Sequence, residues 1–500
     1  GPAMTTGHDQ VRTYGGWRRS RSIGLLGLGP AATFVLLGSF AALLLVATVS
    51  LKALLYVGPP AMLAGAAGVI RVGGIPLAQL AVHRLRWQYG TSAGHTGYRA
   101  EVVARHAGSL QLPGTLATAE LLSAEDGHGG RYGLVRDRRT GYLTATVRVV
   151  PTSTWLADSG DADGWVANWG AWLASLGYLP TVRWVTVTID TAPDPGRTLT
   201  DRIARAIDTS APRAALQIID QVVAAAPAAA ADVDTRVSIT FNPAASPAPP
   251  RNLTEAVAET GQSLAGLESA LGSCGVTVLG RARAGDIAGI VRTAFDPAAR
   301  GEVSRLLAAE HSPASGGQLD WAAAGPAGAE EAWDCYRHDS GVSVTYAWRE
   351  APRQNVRADA LARLVAPGPY PKRVSLQDRP LPATAAASTL DGEVRAAEFR
   401  REYSRRTRRD VTARDAHDHA RARQAADEEA RGAGVSLLGL YVTVTVTDPG
   451  QLSRATADTE AAAETSKIRL QRLYRSQAAG FTATLSCGIC LPELASRLRH

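Results

Sequence analysis

The chain has 500 residues, of which 45% are hydrophobic and 20% charged, and 53 Lys and Arg against 46 Asp and Glu give a net charge of +7. This composition excludes an intrinsically disordered chain, and the basic excess is far below that of a dedicated nucleic-acid coat protein. The lysines are Lys52, Lys372 and Lys467, and none follows a glycine. A P-loop needs Gly-Lys-Ser/Thr, so classical P-loop nucleotide hydrolysis is excluded as well.

The N-terminal part of the chain predicts a membrane anchor. Gly1-Pro2-Ala3 resembles the remainder of a cleaved tag, so Met4 is the expected natural start and 1–22 a basic cytoplasmic segment. Residues 23–51 carry no charge, and 53–70 follow uncharged after Lys52. About 20 apolar helical residues cross a bilayer, so we predict a two-helix transmembrane hairpin over 23–71. A buried hairpin inside a soluble fold is the alternative.

Arginines flank both ends of this hairpin and set its predicted orientation. They are Arg12, Arg18, Arg19 and Arg21 before it and Arg71, Arg84 and Arg86 after it. By the positive-inside rule both termini and the large remaining part of the chain are expected in the cytoplasm, at the bacterial inner membrane. The same arginines are expected to hold anionic lipid headgroups.

The first part of the cytoplasmic region alternates strand-like and helix-like segments. After a basic juxtamembrane linker at 72–110, we predict a first α/β domain over 111–310. Its predicted elements are two strands within 132–150, helix 164–176, strand 182–191, helix 197–225, strand 235–241, helix 253–271 and strand 275–280. The three tryptophans of helix 164–176 share one face, which predicts core packing.

A similar order returns after a Gly/Ala/Pro/Ser-rich linker at 311–328, in a second domain over 329–500. Its predicted elements are strand 341–348, helix 357–364, strand 373–378, a long charged helix 389–431, strand 438–447, helix 452–475 and strand 481–487. Both halves read β-α-β-α-β. The predicted fold class is therefore α/β, built as α+β sandwiches, with a duplication of ferredoxin-like units as a hypothesis.

Three short motifs are candidates for catalytic or metal-binding sites. Gly90–Gly94 matches the GxSxG elbow, but it follows a helical stretch instead of a strand, so a flexible linker is favoured over a hydrolase using Ser92. Cys487 and Cys490 form a CxxC without two further ligands at matching spacing, which favours buried, inert thiols. Tyr336–Gly341 is interpreted as a structural turn.

Metal binding and cofactors are not predicted. His417 and His419 lie two residues apart and diverge by about 200° on a helix, which leaves Asp415 and His419 as too few ligands for a metal site. We expect no metal, no cofactor and no catalytic residue.

The candidate partner surface is an arginine-rich stretch of the long helix. Its arginines are Arg400, Arg401, Arg405, Arg406, Arg408 and Arg409. Because acidic residues are interleaved along the same helix, docking on a partner protein is favoured over phosphate contacts with nucleic acid.

Several segments resemble known secretion proteins. RTYGGWRRSRSIGLLGLGP and the hairpin resemble the PrgI-type membrane subunit of conjugation-type, or type IV, secretion systems. The α/β body, ending in Gln477-Ala478-Ala479-Gly480-Phe481 before Leu485, resembles the N-terminal, non-ATPase region of the conjugation ATPases. WVANWGAWLASLGYLP, EAWDCYRHDSGVSVTYAWREAP and DEEARGAGVSLLGLYVTVTV are similar to an actinobacterial family of secretion-locus membrane proteins.

This resemblance implies a non-enzymatic membrane scaffold that forms homo-oligomers and works with other membrane components and a separate secretion ATPase. The EccE-type component of type VII secretion also resembles the chain, through two crossings and a cytoplasmic α/β body. A membrane-bound serine hydrolase is the third class, supported only by the elbow match. Cargo, ring size and the choice between the two secretion systems stay open.

Overall fold

The computed structural model describes a large part of the chain. It covers residues 37–41, 43–45, 48, 56, 58–63, 65–66, 70–72, 75–100, 112–127, 130–152, 159–193, 207, 211–225, 231–310, 319–350, 359–382, 385–386, 388 and 435–497. Two compact units are defined, residues 19–97 and the chain from Tyr98 onward.

In the smaller unit the described residues include helical positions at 37–41, 43–45, 58–63 and 65–66, and then a short hairpin followed by a helix. β1 (Arg71–Val72) pairs antiparallel with β2 (Ile75–Pro76), and α1 (Leu77–Ser92) follows directly. Within the described residues, no helix combines the length and apolarity needed to cross a membrane. Most of the predicted hairpin, together with Arg18, Arg19 and Arg21, lies outside those residues.

The first half of the large unit follows in chain order. Its elements are β3 (Gly97–Arg99), β4 (Ala119–Glu125), β5 (Arg131–Asp137), β6 (Leu143–Pro151), α2 (Ser159–Leu176), β7 (Val182–Pro193), α3 (Arg213–Ala225), β8 (Ala231–Phe241), α4 (Leu253–Leu271), β9 (Val276–Arg281), α5 (Ala284–Phe295) and α6 (Arg300–Glu310).

The second half repeats much of this order. Its elements are α7 (Trp321–Ala324), β10 (Gly328–Glu331), β11 (Tyr336–His338), β12 (Gly341–Glu350), α8 (Ala362–Val365), β13 (Lys372–Pro380), β14 (Ser436–Val446), α9 (Leu452–Thr465), β15 (Arg469–Arg472), α10 (Gln477–Ala483) and α11 (Leu491–Arg497).

One continuous sheet of 13 strands runs through both halves. In the first half the order is β9-β6-β8-β7, and in the second it is β15-β12-β14-β13, with every one of these ladders antiparallel. β7 and β13 pair in the middle over seven residues, centred on Thr188 opposite Ser375. An approximate twofold axis therefore passes through this pair and relates the two halves.

Local details repeat across this axis too. β8 and β14 each end in an Asx-Pro turn, in which the Asn242 and Asp448 side chains accept from backbone N–H groups two residues on. The helix after each turn ends before a left-handed residue, Gly275 in the first half and Lys467 in the second. These left-handed positions end the helix and let the chain return as the next strand.

Helices cover one face of the sheet with an apolar core in each half. Trp172 and Leu264, from α2 and α4, pack on strand residues such as Val147 and Ile239. Leu364 and Ala455, from α8 and α9, do the same in the second half. A third core gathers Ile287 and Phe295 of α5 and Phe481 of α10.

Most predicted strands and the helix 253–271 are confirmed, with shifts of a few residues at their ends. The helices predicted over 197–225 and 357–364 are shorter in the described residues, at Arg213–Ala225 and Ala362–Val365. Two further predictions are wrong. The helix predicted over 452–475 ends at Thr465, because Lys467 is left-handed (φ 58°) and the chain turns into β15. The strand predicted over 481–487 is the end of α10 and a turn, since this segment covers the sheet and adds no strand to it. The helix 389–431 lies outside the described residues.

Candidate functional site

A polar layer lies on the sheet face opposite α2, α4, α8 and α9. Alternation along a strand places every second side chain on one face, so β7 contributes Thr186 and Asp190 and β13 contributes Arg373 and Gln377. The ladder sets Asp190 opposite Arg373 and Thr186 opposite Gln377, on either side of the central Thr188–Ser375 pair. The Thr188 and Ser375 hydroxyl oxygens are 2.9 Å apart.

Hydroxyl pairs extend this layer outward in each half. The pairs are Thr144–Thr240 at 2.9 Å, Thr146–Ser238 at 2.9 Å, Ser343–Thr445 at 2.8 Å and Thr345–Thr443 at 2.9 Å. All eight side chains are buried. Cross-strand hydroxyl pairs satisfy each other's hydrogen bonding, which lets a polar face be buried at small cost.

Charged groups converge on Asp190 within this layer. Its carboxylate lies 3.3 Å from the Arg236 guanidinium and 3.4 Å from that of Arg300. Burial opposes its ionisation, but the positive charges of Arg236, Arg300 and Arg373 outweigh burial and hold the pKa of Asp190 below its ordinary value. Arg300 also bridges to Asp232 at 3.1 Å, which ties α6 to β7 and β8.

Arg373 lies on β13 and extends the polar layer into the second half. Its Nε donates to the Thr484 hydroxyl at 3.1 Å, and its guanidinium lies 4.7 Å from the centre of the Phe481 ring. Burial lowers the pKa of Arg373 to about 10, and the adjacent Asp190 carboxylate partly opposes that shift. The side chain therefore remains a cation at neutral pH.

The segment 484–490, which we call the C-terminal strap, crosses this polar face. Its Thr484 hydroxyl lies 3.1 Å from that of Thr443, its Ser486 carbonyl faces Thr146, and its Ile489 carbonyl accepts from Gln377 Nε2 at 3.1 Å. Ser486 and Gly488 are left-handed, with φ of 57° and 71°. A Cβ on Gly488 would collide with the Thr144 hydroxyl. The strap thus binds both halves at once.

The two predicted thiols belong to this strap. Cys487 and Cys490 are 5% and 1% exposed. Burial raises the pKa of the Cys487 thiol to about 12, and it raises that of Cys490 as well. Since the thiolate is the reactive form, both side chains act as packing groups, as predicted.

The remaining sequence motifs occupy structural positions. Ser92 lies in the last turn of α1, where its hydroxyl donates to the Tyr89 carbonyl at 2.8 Å, so GxSxG forms no strand-to-helix elbow here and no separate flexible linker. Asp339 and Ser340 form the turn between β11 and β12, as predicted for Tyr336–Gly341. In the part of the chain that is described, no cluster of three metal-binding side chains occurs.

His338, the last residue of β11, stabilises the turn that follows it through two hydrogen bonds. Its Nδ1 lies 2.6 Å from the Phe295 carbonyl oxygen and its Nε2 lies 2.8 Å from the Ser343 hydroxyl. Burial lowers the pKa of His338 to about 4. The neutral imidazole connects α5 to β12, which is a structural role.

The predicted site residues fall into two groups. Arg71, Arg84 and Arg86 lie in the smaller unit, in β1 and α1. The six predicted partner-binding arginines, together with Asp415, His417 and His419, lie outside the described residues.

The buried charges of the layer were missed by sequence reasoning. Asp190 is a lone carboxylate in the alternating run VTVTID, which was an available signal. Arg236 and Arg373 lie in strands that carry other charges, so no such signal marks them.

Comparison with known protein families gives no match, and no curated protein matches the chain.

Proposed function

We propose that the protein is a non-enzymatic, membrane-anchored scaffold of a conjugation-like type IV secretion system. It recruits a separate secretion ATPase and positions it at the cytoplasmic face of the membrane. The proposal combines the sequence resemblance with one structural observation, namely that a long insertion follows the equivalent strand in each half of one continuous sheet.

The insertions join the sheet at equivalent places in the two halves. One connects Pro193 of β7 to Ala231 of β8, and the other connects Pro380 of β13 to Ser436 of β14. Because β7 and β13 are antiparallel, these two exits point in opposite directions along the strands. The second insertion carries the arginine-rich stretch 400–409. A continuous sheet with a long insertion after an equivalent strand in each half suits a platform that holds a large partner.

The proposal also includes the fold of each half and the way in which the chain is held at the membrane. In each half, the order of strands and helices, with its insertion set aside, is that of a ferredoxin-like unit, so we interpret the large unit as a duplication of such units. The hairpin over 23–71 anchors it, with both termini in the cytoplasm. Arginines beside the hairpin contact anionic headgroups, and copies of the chain assemble with other components of the secretion machine.

The partner surface is tested by reversing its charge. Replacing Arg405, Arg406, Arg408 and Arg409 with glutamate is expected to abolish recovery of the ATPase with the tagged protein, because the surface would then repel acidic partner groups. A matched control replaces the exposed Arg131, Arg138, Arg139 and Arg305 of the body with glutamate, which changes net charge equally. If both variants recover the ATPase equally well, the arginine-rich stretch is not the partner surface.

The type of system is tested by mass spectrometry of proteins that co-purify from detergent-solubilised host membranes. A conjugation-type ATPase with one motor domain supports the type IV scaffold. A motor with several FtsK-like ATPase domains assigns the chain to type VII secretion, as an EccE-type component. Ester hydrolysis by the purified protein that depends on Ser92, without any ATPase partner, contradicts the scaffold proposal.

A further inference from the structure

α1 has apolar side chains on two opposite faces. Leu80, His83 and Trp87 are half-buried, and their spacing of three and four residues places them on one face. Leu85 and Tyr89 are 66% and 70% exposed, and their spacing of four residues places them together on the other side. Together they form an exposed apolar stripe on this side of the helix.

Exposed positive charges flank this second apolar stripe. Arg84 and Arg86 are both exposed. At about 100° per residue, they project on either side of Leu85, one toward each edge of the stripe. Arginine can extend its apolar stem along a hydrophobic surface while its guanidinium reaches a polar layer above, and tyrosine is enriched at the same depth of a membrane.

The position of α1 in the chain identifies the partner. The helix starts seven residues after Ile70, the last residue of the uncharged run 53–70, and only the β1–β2 hairpin lies between. The uncharged run is the predicted second crossing, so its end reaches the headgroup region. Apolar groups between arginines complement an anionic lipid surface at that level.

We propose that α1 lies in the plane of the cytoplasmic leaflet, with Leu85 and Tyr89 inserted among anionic lipids and Arg84 and Arg86 paired with lipid phosphates. This inference rests on the proposed membrane anchoring and adds a second contact, parallel to the bilayer. The helix fixes the orientation in which the chain leaves the membrane.

Fluorescence quenching by lipid tests this placement in the full chain. Leu85→Cys, labelled with a polarity-sensitive dye in a Cys274→Ser background, is reconstituted into phosphatidylcholine–phosphatidylserine liposomes that contain brominated lipid. The other three cysteines are buried and react poorly. We expect a blue-shifted, quenched label at this position. Leu306→Cys, another exposed leucine in the large unit, is the control and should remain unquenched.

The charges are tested in the same liposomes. Replacing Arg84 and Arg86 with glutamine should weaken the docking of α1 by about fivefold per arginine, since each basic residue near an anionic surface contributes about 1 kcal/mol. Lipid without net charge should reduce quenching to a similar degree in the labelled protein that keeps both arginines.

The outcomes separate this inference from the proposed anchoring. If the chain resists carbonate extraction from the liposomes but the label at position 85 is unquenched, α1 does not lie in the leaflet and the inference is wrong. The proposed hairpin anchor is then unaffected. A label that is shielded but unquenched by brominated lipid shows a protein partner on this face, which also overturns the inference. If the chain does not enter the liposomes at all, the anchoring fails first.

Discussion

Asp190 is the residue on which the charges of the polar layer converge, and its neutral replacement tests the layer. Asp190→Asn should destabilise the folded protein by roughly 1.5–3 kcal/mol, because the buried Arg236 and the half-buried Arg300 lose their shared carboxylate. Among the described residues, Arg236 keeps only Asp234 as an acidic partner, and Arg300 keeps only Asp232. Asp232→Asn, which removes only one half-exposed partner of Arg300, should cost less than about 1 kcal/mol. Urea unfolding of the full chain in mild detergent measures both, and equal losses would contradict the central position of Asp190.

The pH dependence of the same carboxylate has a defined sign. Its pKa is lower in the folded protein than in the unfolded chain, so its contribution to stability is fully present above the ordinary carboxyl pKa. That contribution should be lost as pH falls through the lowered value. Comparing the wild type with Asp190→Asn over pH 3 to 7 should therefore show a difference in unfolding free energy that shrinks toward acid.

Asp378 should behave in the opposite way. It is 2% exposed on β13, with the Ser436 hydroxyl donating to it at 3.0 Å, and burial raises its pKa to about 7. The protonated form is favoured in the folded state, so its contribution is present in acid and is lost as pH rises through about 7. Asp378→Asn should match the wild type near pH 5 and exceed its stability near pH 8.5 by roughly 2–4 kcal/mol. A constant difference across this range, in urea titrations, would contradict the assignment.

At the scale of the elements, the packing of the C-terminal strap on the sheet can be tested by two matched glycine substitutions, one in the strap and one outside it. Gly488 and Gly141 have φ of 71° and 74°, but only a Cβ at Gly488 meets other atoms, those of Thr144 and Thr240. Gly141→Ala should cost about 1 kcal/mol from backbone strain alone. Gly488→Ala should cost a further 1–3 kcal/mol, roughly, because the strap must lift from the sheet. The difference between the two losses of unfolding free energy measures the contact between the strap and the sheet. Similar losses would mean that the strap is not closely packed.

Elements with a clear local signal were predictable from the sequence. Helix α4 starts at an Asn N-cap whose side chain accepts from the Glu255 N–H, and its buried residues recur with helical spacing. The strands 182–191 and 438–447 were recognisable from β-branched residues in alternation. Two features were not predictable, namely the end of the helix after β14 at a left-handed lysine and the helical, non-strand character of the segment after β15. Both depend on contacts with the sheet.

The polar layer illustrates a limit of pattern reasoning. A strand of alternating Val and Thr is typical of a sheet with one face in water. In this protein that second face is buried under the strap, where Thr443 meets Thr484 at 3.1 Å. The covering segment lies far along the chain from most of the strands, so nothing local to those strands shows that their hydroxyl face is dry.

For the whole molecule, the continuous sheet predicts that the two halves hold together without a covalent link. A protease site placed between residues 311 and 318 and then cleaved should yield two fragments that elute together in gel filtration. The β7–β13 ladder and the strap both join them, through contacts such as Gln377 with Thr186 and the Ser486 carbonyl with Thr146. Fragments should separate only in denaturant. Separation in native buffer would show that each half is an independent domain.

The strap also has a consequence for the making of the protein. It follows every strand that it covers, so a ribosome completes both halves before the segment that shields their hydroxyl face becomes available. Until then, the nascent chain presents Asp190 and the threonine rows to water and to other chains. Folding during synthesis therefore cannot reach its final state one domain at a time. The hydroxyl face of both halves therefore becomes buried only after residues 484–490 have been made.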